Sequence, residues 1–255
     1  MIDIHCHILP GVDDGPQTMA ESIDMAKRAV EEGITHLFAT PHHGNGRFEN
    51  TKTDILKHVT ELNKRLTQEN IPLTVLPGQE LRIHRELFHA LERDEILTLH
   101  NRGKYVLLEL PSNEVPTYTK SLIYELLLKG ITPIIVHPER NRELITHQNL
   151  LYELVTEGAL TQLTAGSIIG QFGKKIQSFS EKIIEHHLTH FVASDAHNLN
   201  SRGLSSLQAA FATVTRKYGI DRTFYFQENA ELLVRYQNPL IEQPHPIKKR
   251  LLGIF

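Results

Sequence analysis

The feature that most restricts the fold of this chain is a unit that occurs three times, in which an amphipathic run ends on a glycine and a β-rich run follows. The three junctions are Glu32-Gly33-Ile34, Lys129-Gly130-Ile131 and Glu157-Gly158-Ala159. A glycine just past a helix adopts the left-handed conformation that ends the helix, and a strand can start directly after it. The repeated unit therefore predicts an α/β fold.

Seven β-rich runs alternate with helical patterns along the 255 residues. The strands are predicted at about 2–6, 34–40, 73–79, 105–110, 133–137, 160–165 and 190–194. Helices are predicted at about 18–32, 51–69, 84–95, 178–189 and 201–218, and apolar residues at helical spacing mark two more within 122–127 and 150–155. Several strands are apolar nearly throughout, which is typical of parallel strands buried on both faces. The alternation predicts a parallel barrel or a doubly wound sheet.

Six of the seven predicted strands end on or beside a side chain that can bind a metal. These side chains are His5 and His7, His42, Glu80, Glu109, His137, and Asp195 with His197. In both architectures the binding site lies at the carboxyl ends of the strands. A barrel brings all of these ends to one rim, whereas an open sheet spreads them along a line. The number of candidate ligands therefore favours the barrel.

Two strand ends carry their candidate ligands as a pair separated by one residue. In an extended segment residues i and i+2 point to the same side, so His5 and His7 are directed at one point, as are Asp195 and His197. Asp14 follows the first pair in a loop bounded by glycine and proline, where a carboxylate can turn back toward the strand ends. Each feature is weak alone, but together they predict a metal site.

Glu80 and Glu109 place carboxylates beside or inside apolar runs. Burying an unpaired charge costs several kcal/mol, and a divalent cation removes that cost. For Glu109 the alternative is an ion pair with a neighbouring Lys or Arg. The nine candidate ligands exceed what one ion needs, so two or three ions are predicted. Adjacent ions about 3.5–4 Å apart activate water for in-line phosphoryl displacement, so phosphoester hydrolysis is the predicted reaction class.

Charge and composition exclude several other classes. The net charge of −3 gives no overall basic field for nucleic acid or for an anionic membrane surface. Cys6 is the single cysteine, which fits a reducing cytosol, and no secretory signal or membrane-spanning run is visible. We expect a cytoplasmic protein with one domain over 1–255, in which 238–255 form a C-terminal extension. Its basic run Lys248-Lys249-Arg250 is expected to be solvated.

The ordered motifs resemble those of a known superfamily. His5-X-His7, Asp14, Pro41-His42, Glu80, Glu109, His137-Pro138 and Asp195-X-His197 are similar to the polymerase-and-histidinol-phosphatase (PHP) superfamily. More closely, the segments 3–15, 39–43, 78–80 and 137–140 resemble the bacterial tyrosine-protein phosphatases of capsule and exopolysaccharide gene clusters. The resemblance spans residues 1 to about 236.

This resemblance implies a distorted seven-stranded (β/α) barrel of the PHP type and three metal ions, usually manganese, with iron or zinc as alternatives. It implies a first ion on His5, His7, Glu80 and Asp195, a second on Glu80, Glu109 and His137, and a third on Asp14, His42 and His197. His42 and Asp195 are also expected to serve catalysis. The implied substrate is the tyrosine-rich tail of a membrane-associated bacterial tyrosine kinase that controls polysaccharide synthesis.

Arg140 lies three residues after His137 at the predicted barrel mouth and can clamp a phosphate bidentately. The alternative for Arg140 is an ion pair with Glu139 or Glu143. Arg47 and Arg202 are weaker candidates for the phosphate. The other histidines are expected to be surface or packing residues, and His43, next to His42 in the sequence, is the one most in question.

Three other functions remain open on the sequence. A histidinol-phosphate phosphatase would share the metal site, and a metal-stabilised module could bind phosphotyrosine without hydrolysing it. An amidohydrolase also begins with His-X-His, but it would offer two further strand-end histidines rather than Glu80, Glu109 and a single His137. A cysteine phosphatase is excluded, because Val12 stands where Cys6 would need an arginine six residues on.

Overall fold

The computed structural model describes residues 1–200, 202–204 and 206–247. Within these residues the strands are β1 (Ile2–Cys6), β2 (His36–Ala39), β3 (His42–His43), β4 (Thr74–Pro77), β5 (Glu80–Arg82), β6 (Tyr105–Glu109), β7 (Thr132–Val136), β8 (Leu160–Thr164) and β9 (Phe191–Ala193). The helices are α1 (Met19–Glu31), α2 (Lys52–Gln68), α3 (Leu87–Glu92), α4 (Thr119–Leu128), α5 (Arg142–Thr146), α6 (Asn149–Thr156), α7 (Ala165–Ile168), α8 (Lys174–Glu185), α9 (Ser206–Tyr218) and α10 (Ile220–Val234). Short 3-10 turns span Leu99–Asn101 and Pro138–Arg140. The predicted α/β class is confirmed.

The strands pair in parallel, as predicted. They form a three-stranded sheet in the order β1-β2-β4 and a six-stranded sheet in the order β3-β5-β6-β7-β8-β9. Two predicted strands, 34–40 and 73–79, correspond to β2 and β4; after a short interruption each is followed by a further strand, β3 or β5, that lies beyond the predicted range. Pro41 has no N–H for the ladder, which accounts for the first interruption. Pairing resumes where the N–H of Glu80 donates to the carbonyl of Pro41 at 3.1 Å.

The first strand of one sheet adjoins the last strand of the other. The N–H of Asp195, just past β9, donates to the carbonyl of His5 at 2.9 Å, and the N–H of His7 donates to the carbonyl of Ala196 at 2.9 Å. These bonds bring both predicted i, i+2 pairs to the same place. The closed, seven-stranded form of the barrel stays a prediction.

Apolar side chains cover both faces of the strands. One cluster lies between the strands and the helices and includes Leu37, Val106 and Ile135. The other takes one or two residues from each of seven strands and includes Phe38, Leu107 and Ile134. Neighbours such as Leu37 and Phe38 fall into different clusters because successive side chains of a strand point to opposite faces. Each fully buried Leu, Ile or Phe stabilises the fold by about 1.5–3 kcal/mol relative to exposure.

Helix boundaries follow local capping where the signals are clear. Thr18 and Glu21 form a reciprocal capping box, so α1 begins one residue inside the predicted range 18–32. The predicted helix 178–189 lies four residues earlier, because Gly173, with φ of +91°, allows a turn directly before Lys174. The predicted helix 84–95 is reduced to α3, and α10 was not predicted.

Beyond α10 the chain continues without helix or strand through the described residues 238–247. The N–H of Leu240 donates to Asn229 Oδ1 at 2.7 Å, and the N–H of His245 donates to the carbonyl of His186 at 2.9 Å. This part of the predicted extension therefore packs against α10 and the end of α8. Lys248-Lys249-Arg250 lies outside the described residues. Within the described ranges, no helix combines the length and apolar character that crossing a membrane requires.

Candidate metal centre

The structure brings all nine predicted ligands together at the carboxyl ends of the strands. His5 and His7 come from β1 and the residue just after it, His42 from β3, Glu80 from β5 and Glu109 from β6. The other four follow in loops, and they are Asp14, His137, Asp195 and His197. Every one lies within 4 Å of another member.

Three of these side chains surround one point, and a fourth, Asp195, lies beside two of them. His5 Nε2 lies 3.3 Å from His7 Nε2, 3.4 Å from Glu80 Oε2 and 3.6 Å from Asp195 Oδ1. His7 Nε2 lies 3.3 Å from Glu80 Oε2 and 3.5 Å from Asp195 Oδ1. Four ligands placed tetrahedrally at about 2.0–2.2 Å from one ion are about 3.3–3.6 Å apart. The spacing of His5, His7 and Glu80 is therefore that of ligands sharing a single ion, and Asp195 lies within 3.6 Å of both histidines.

Glu80 also belongs to a second group. Its Oε1 lies 2.7 Å from His137 Nε2, and its Oε2 lies 2.8 Å from His42 Nδ1. His42 Nδ1 is in turn 3.9 Å from Glu109 Oε2. The two oxygens of Glu80 thus face different imidazoles, which is the arrangement of a carboxylate that bridges two ions.

The third group gathers around Asp14. Its Oδ1 lies 3.3 Å from His197 Nε2 and 3.5 Å from His42 Nε2. The ring of His7 stacks on that of His197 with centroids 3.7 Å apart, and His7 belongs to this group as well. The implied division placed His42 with the third ion alone and His7 with the first alone. In the structure each of them lies in two groups. His42 does so through both ring nitrogens, which face Glu80 and Asp14, whereas Asp13 occupies Nδ1 of His7 and leaves it Nε2 as the ligand atom.

Several buried atoms in these groups have no hydrogen-bond partner. They are His42 Nδ1, Glu80 Oε2, Glu109 Oε2 and His197 Nε2. Leaving a buried polar atom unpaired costs about 1–3 kcal/mol, and more when the atom is charged. Each of these atoms faces other ligand atoms, so bound cations would satisfy them; Glu109 Oε2 also lies 3.0 Å from Arg82 Nη2. The residues present therefore fit divalent metal ions.

Two of the candidate ligands occupy unfavourable backbone conformations. His137 has φ of +36° and Asp195 has φ of +52°, although neither is glycine. Such conformations cost about 1–3 kcal/mol each and persist only where the surroundings impose them. Both residues follow the last residue of a strand closely, so the turn directs their side chains into the centre.

Residues that were not predicted orient the imidazoles from behind. His7 Nδ1–H donates to Asp13 Oδ2 at 2.6 Å, and His5 Nδ1–H donates to Gln162 Oε1 at 2.9 Å. These bonds leave Nε2 of each ring free to face the ligand group. Asp13 directly precedes the predicted ligand Asp14, and this adjacency could have indicated its role from the sequence. Gln162 is a fully buried polar residue on β8, which corresponds to the one predicted strand of seven that does not end on or beside a candidate ligand.

We expect Asp13→Asn and Gln162→Leu each to weaken metal binding by about 10- to 100-fold, because the ring that each residue holds loses its fixed tautomer and orientation. Competition with a chelating dye measures the affinity. Asp24→Asn, an exposed carboxylate on α1, is the matched control. Unchanged affinity in both variants would contradict the orienting role.

Burial shifts the protonation of several ligands in the metal-free protein. Burial and then the charge of Glu80 raise the pKa of Glu109 to about 7. Arg82 Nη2 lies 3.0 Å from Glu109 Oε2, so the ion pair considered as an alternative does form, yet it does not offset burial. Burial lowers the pKa values of His137 and of His197 to about 4. Both imidazoles are therefore neutral at pH 7, which is the form that binds metal.

These shifts predict that metal binding weakens as the pH falls below about 7. Glu109 must be ionised to act as a ligand, so below its raised pKa a proton competes with the ion, by up to about tenfold per pH unit. Calorimetric titration of the metal-free protein with Mn²⁺ between pH 6 and pH 8 measures the affinity and the protons released. Glu109→Gln should release fewer protons. Equal affinity at both ends of this range would contradict the prediction.

Two arginines contact Asp195 in the centre. Arg140 Nη1 donates to Asp195 Oδ2 at 2.7 Å, and Arg202 Nη2 lies 3.2 Å from both oxygens of Asp195. The pairing considered for Arg140 with Glu139 or Glu143 is not what forms, since Glu139 accepts from Ser167 and Glu143 from the N–H of Val115. Arg202 was predicted as a weaker candidate for binding the phosphate, but its guanidinium lies within hydrogen-bond distance of Asp195.

The remaining histidines and the cysteine lie elsewhere. Among the described residues, the three ligand groups contain neither His43 nor any of the other histidines expected on the surface or in packing. His43 Nδ1 instead accepts from the N–H of Asn50 at 3.2 Å. Cys6 is fully buried, its Sγ faces the carbonyl of Ala196, and burial raises the pKa of its thiol. A thiolate nucleophile at Cys6 is therefore unfavourable.

Comparison with known proteins identifies the family. The family described as "Capsular polysaccharide synthesis, CpsB/CapC" matches residues 1–235. The chain belongs to this family. The tyrosine-protein phosphatase YwqE of Bacillus subtilis (strain 168) is 47% identical over 256 residues, which cover 100% of both chains. The tyrosine-protein phosphatase CpsB of Streptococcus agalactiae serotype III (strain NEM316) is 31% identical over 92% of this chain and 98% of its own.

Solved structures agree with this family membership. One from a study of YwqE from Bacillus subtilis and CpsB from Streptococcus pneumoniae, described as unique metal-dependent tyrosine phosphatases, matches with a TM-score of 0.94 at 46% identity. The match covers 98% of this chain and 100% of that chain. The phosphotriesterase homology protein of Escherichia coli has a TM-score of 0.59 at 10% identity and covers 90% of this chain and 97% of its own. It shares the fold alone.

Proposed function

We propose that this protein is a metal-dependent protein-tyrosine phosphatase that hydrolyses phosphotyrosine in phosphoproteins. The observation that carries the proposal is the convergence of nine histidine and carboxylate ligands around Glu80, with buried atoms facing one another unpaired. Family membership and the named activity of its relatives support the same reading. On this proposal the nine strands form a distorted seven-stranded barrel, in which β2 and β3 together make one barrel strand and β4 and β5 another.

The metal site is part of the proposal. His5, His7, Glu80 and Asp195 would hold one ion, and the groups around Glu109 with His137 and around Asp14 with His197 would hold two more. Manganese is the proposed ion, with iron or zinc as alternatives that the same donor types accept. Bound there, the ions would supply activated water and neutralise phosphate oxygens.

The protein's own side chains complete the reaction. Arg140 keeps guanidinium N–H groups beyond the one bonded to Asp195, and these can bind phosphate oxygens in a fixed planar geometry. Arg202 approaches the same carboxylate from the other side. The leaving group is a phenolate with a pKa of about 10, so it needs less protonation than an alkoxide would.

The proposed physiological substrate is a membrane-associated bacterial tyrosine kinase phosphorylated on its tyrosine-rich tail, met in the cytoplasm. The family's description in capsular polysaccharide synthesis supports this context. A single domain over 1–255, with 238–255 as an extension, is the proposed organisation.

The test compares two substrates with the Mn²⁺-loaded protein. We expect kcat/KM for a phosphotyrosyl peptide to exceed that for histidinol phosphate by at least about a hundredfold. Preference for histidinol phosphate would overturn the proposal in favour of a small-molecule phosphatase. Tight binding of the phosphopeptide without release of phosphate would indicate a binding module instead.

A further inference from the structure

We propose that Phe48 is the side chain against which the phenyl ring of phosphotyrosine packs, and that it selects aryl over alkyl phosphomonoesters. This inference rests on the proposed function and adds a specificity determinant to it. Phe48 lies in the loop 44–50 that follows β3, the strand that carries His42.

The ring of Phe48 lies beside that of His42, a candidate ligand of the metal centre. Its ring centroid lies 6.1 Å from that of His42, and the two ring planes differ by only 6°. His42 faces the centre with both nitrogens, toward Glu80 and toward Asp14. A phosphate bound at the centre would therefore leave its ester substituent within reach of this loop.

The fold does not need Phe48 for its core. Among the described residues, Phe48 belongs to neither of the two apolar clusters, nor is it one of the half-buried residues that pack against them. The ring is half-buried, so part of its apolar surface faces solvent. An aromatic ring stacked beside a ligand of the polar centre, without a core role, offers a binding surface for another ring.

Hydrogen bonds hold the loop in one shape. Asn45 Oδ1 accepts from the N–H groups of Arg47 at 3.0 Å and of Phe48 at 2.8 Å. The N–H of Gly44 donates to the carbonyl of Phe48 at 3.1 Å. Asn50 Nδ2 donates to the carbonyls of Val12 at 3.0 Å and His42 at 2.8 Å. The ring is thus positioned before substrate arrives, which reduces the entropy lost on binding.

Arg47 stabilises the ring from one side. Its guanidinium carbon lies 4.8 Å from the Phe48 centroid, a cation–π distance. An alkyl phosphomonoester has no ring to place beside Phe48, whereas a phenyl ester does. An added aromatic pair of this kind corresponds to a difference of about 3- to 10-fold in affinity.

The experiment measures inhibition by three competitive ligands of the Mn²⁺-loaded enzyme: benzylphosphonate, methylphosphonate and inorganic phosphate. We expect Phe48→Ala to weaken benzylphosphonate about 3- to 10-fold, and to change the inhibition constants of methylphosphonate and phosphate by less than about twofold. Phe48→Tyr should retain the wild-type ratio of the methylphosphonate and benzylphosphonate inhibition constants, because tyrosine keeps the ring. Phe48→Leu keeps an apolar side chain, which protects folding, but it should lose part of the preference for benzylphosphonate.

Phe224→Ala, which removes an exposed phenylalanine on α10, is the matched control and should leave all three constants unchanged. Equal weakening of all three ligands together with a lower metal content would show that Phe48 only supports His42, and would overturn the inference. An unchanged benzylphosphonate constant in Phe48→Ala would overturn it as well. If the wild-type enzyme hydrolyses phosphotyrosyl peptides in either case, the proposed function stands while this inference does not.

Discussion

Glu80→Gln is expected to lower kcat for a phosphotyrosyl substrate by at least about a thousandfold, and to reduce the metal content of the purified protein. Oε2 of Glu80 lies within 3.4 Å of ligand nitrogens of His5, His7 and His42, and Oε1 lies 2.7 Å from His137. Glutamine has nearly the same shape but carries no charge. One of its two polar atoms becomes an N–H₂ donor, which cannot bind a cation. A single change therefore affects two adjoining groups.

The measurement combines p-nitrophenyl phosphate turnover in saturating Mn²⁺ with elemental analysis of the bound metal. Glu125→Gln, on the exposed face of α4, is the matched control and should leave both values unchanged. His42→Ala and Asp195→Ala should each abolish turnover, since they remove ligands from the same groups. Full activity retained in both of these variants would refute the assigned centre.

Arg140→Lys is expected to lower kcat/KM for a phosphotyrosyl peptide by about a hundredfold, with little change in metal content. Lysine keeps the charge but loses the planar fork that binds two phosphate oxygens. It also loses the 2.7 Å bond that Arg140 makes with Asp195 Oδ2. Arg202, 3.2 Å from the same carboxylate, keeps Asp195 paired, so the metal groups should persist.

Inhibition by inorganic phosphate separates the two roles of Arg140. If the guanidinium binds phosphate, the inhibition constant rises by about tenfold or more in Arg140→Lys. Arg142→Lys, an exposed arginine two residues on, is the control. An unchanged phosphate constant with a lower metal content would mean that Arg140 only supports Asp195.

Much of the centre could be predicted because its signals are local. The alternation of side chains along an extended segment predicted that His5 and His7 point the same way, and their nitrogens lie 3.3 Å apart. Apolar runs that end on carboxylates predicted that Glu80 and Glu109 would be buried beside cations, and both are buried. Parallel strands place their carboxyl ends on one side, which is why ligands distant in sequence meet.

Other features depend on contacts that no local pattern reveals. The predicted strand 34–40 ends at Ala39, yet beyond Pro41 the backbone pairs again as β3, which was not predicted, and the N–H of Glu80 donates to the carbonyl of Pro41. The apolar stripe along helix α10 is weak, so the sequence pattern did not predict this helix. In the structure its residues Ala230 and Leu233 pack in the second apolar cluster. Whether Arg140 would pair with its neighbours in sequence or with Asp195 was decided by the turn after β7, where His137 adopts a positive φ.

By itself, the sequence determined the class of fold, the reaction class and the nine candidate ligands, since each follows from residue types placed at strand ends. Only the tertiary structure decided which candidate ligands lie side by side, since His42 presents one nitrogen to Glu80 and the other to Asp14 and so joins two of the groups. It also gave β8 its role: this strand ends without a ligand, but the register of its neighbours brings Gln162 against His5 Nδ1 at 2.9 Å. Side-chain alternation is a property of one strand, whereas the partner of a buried amide depends on which strands lie beside it.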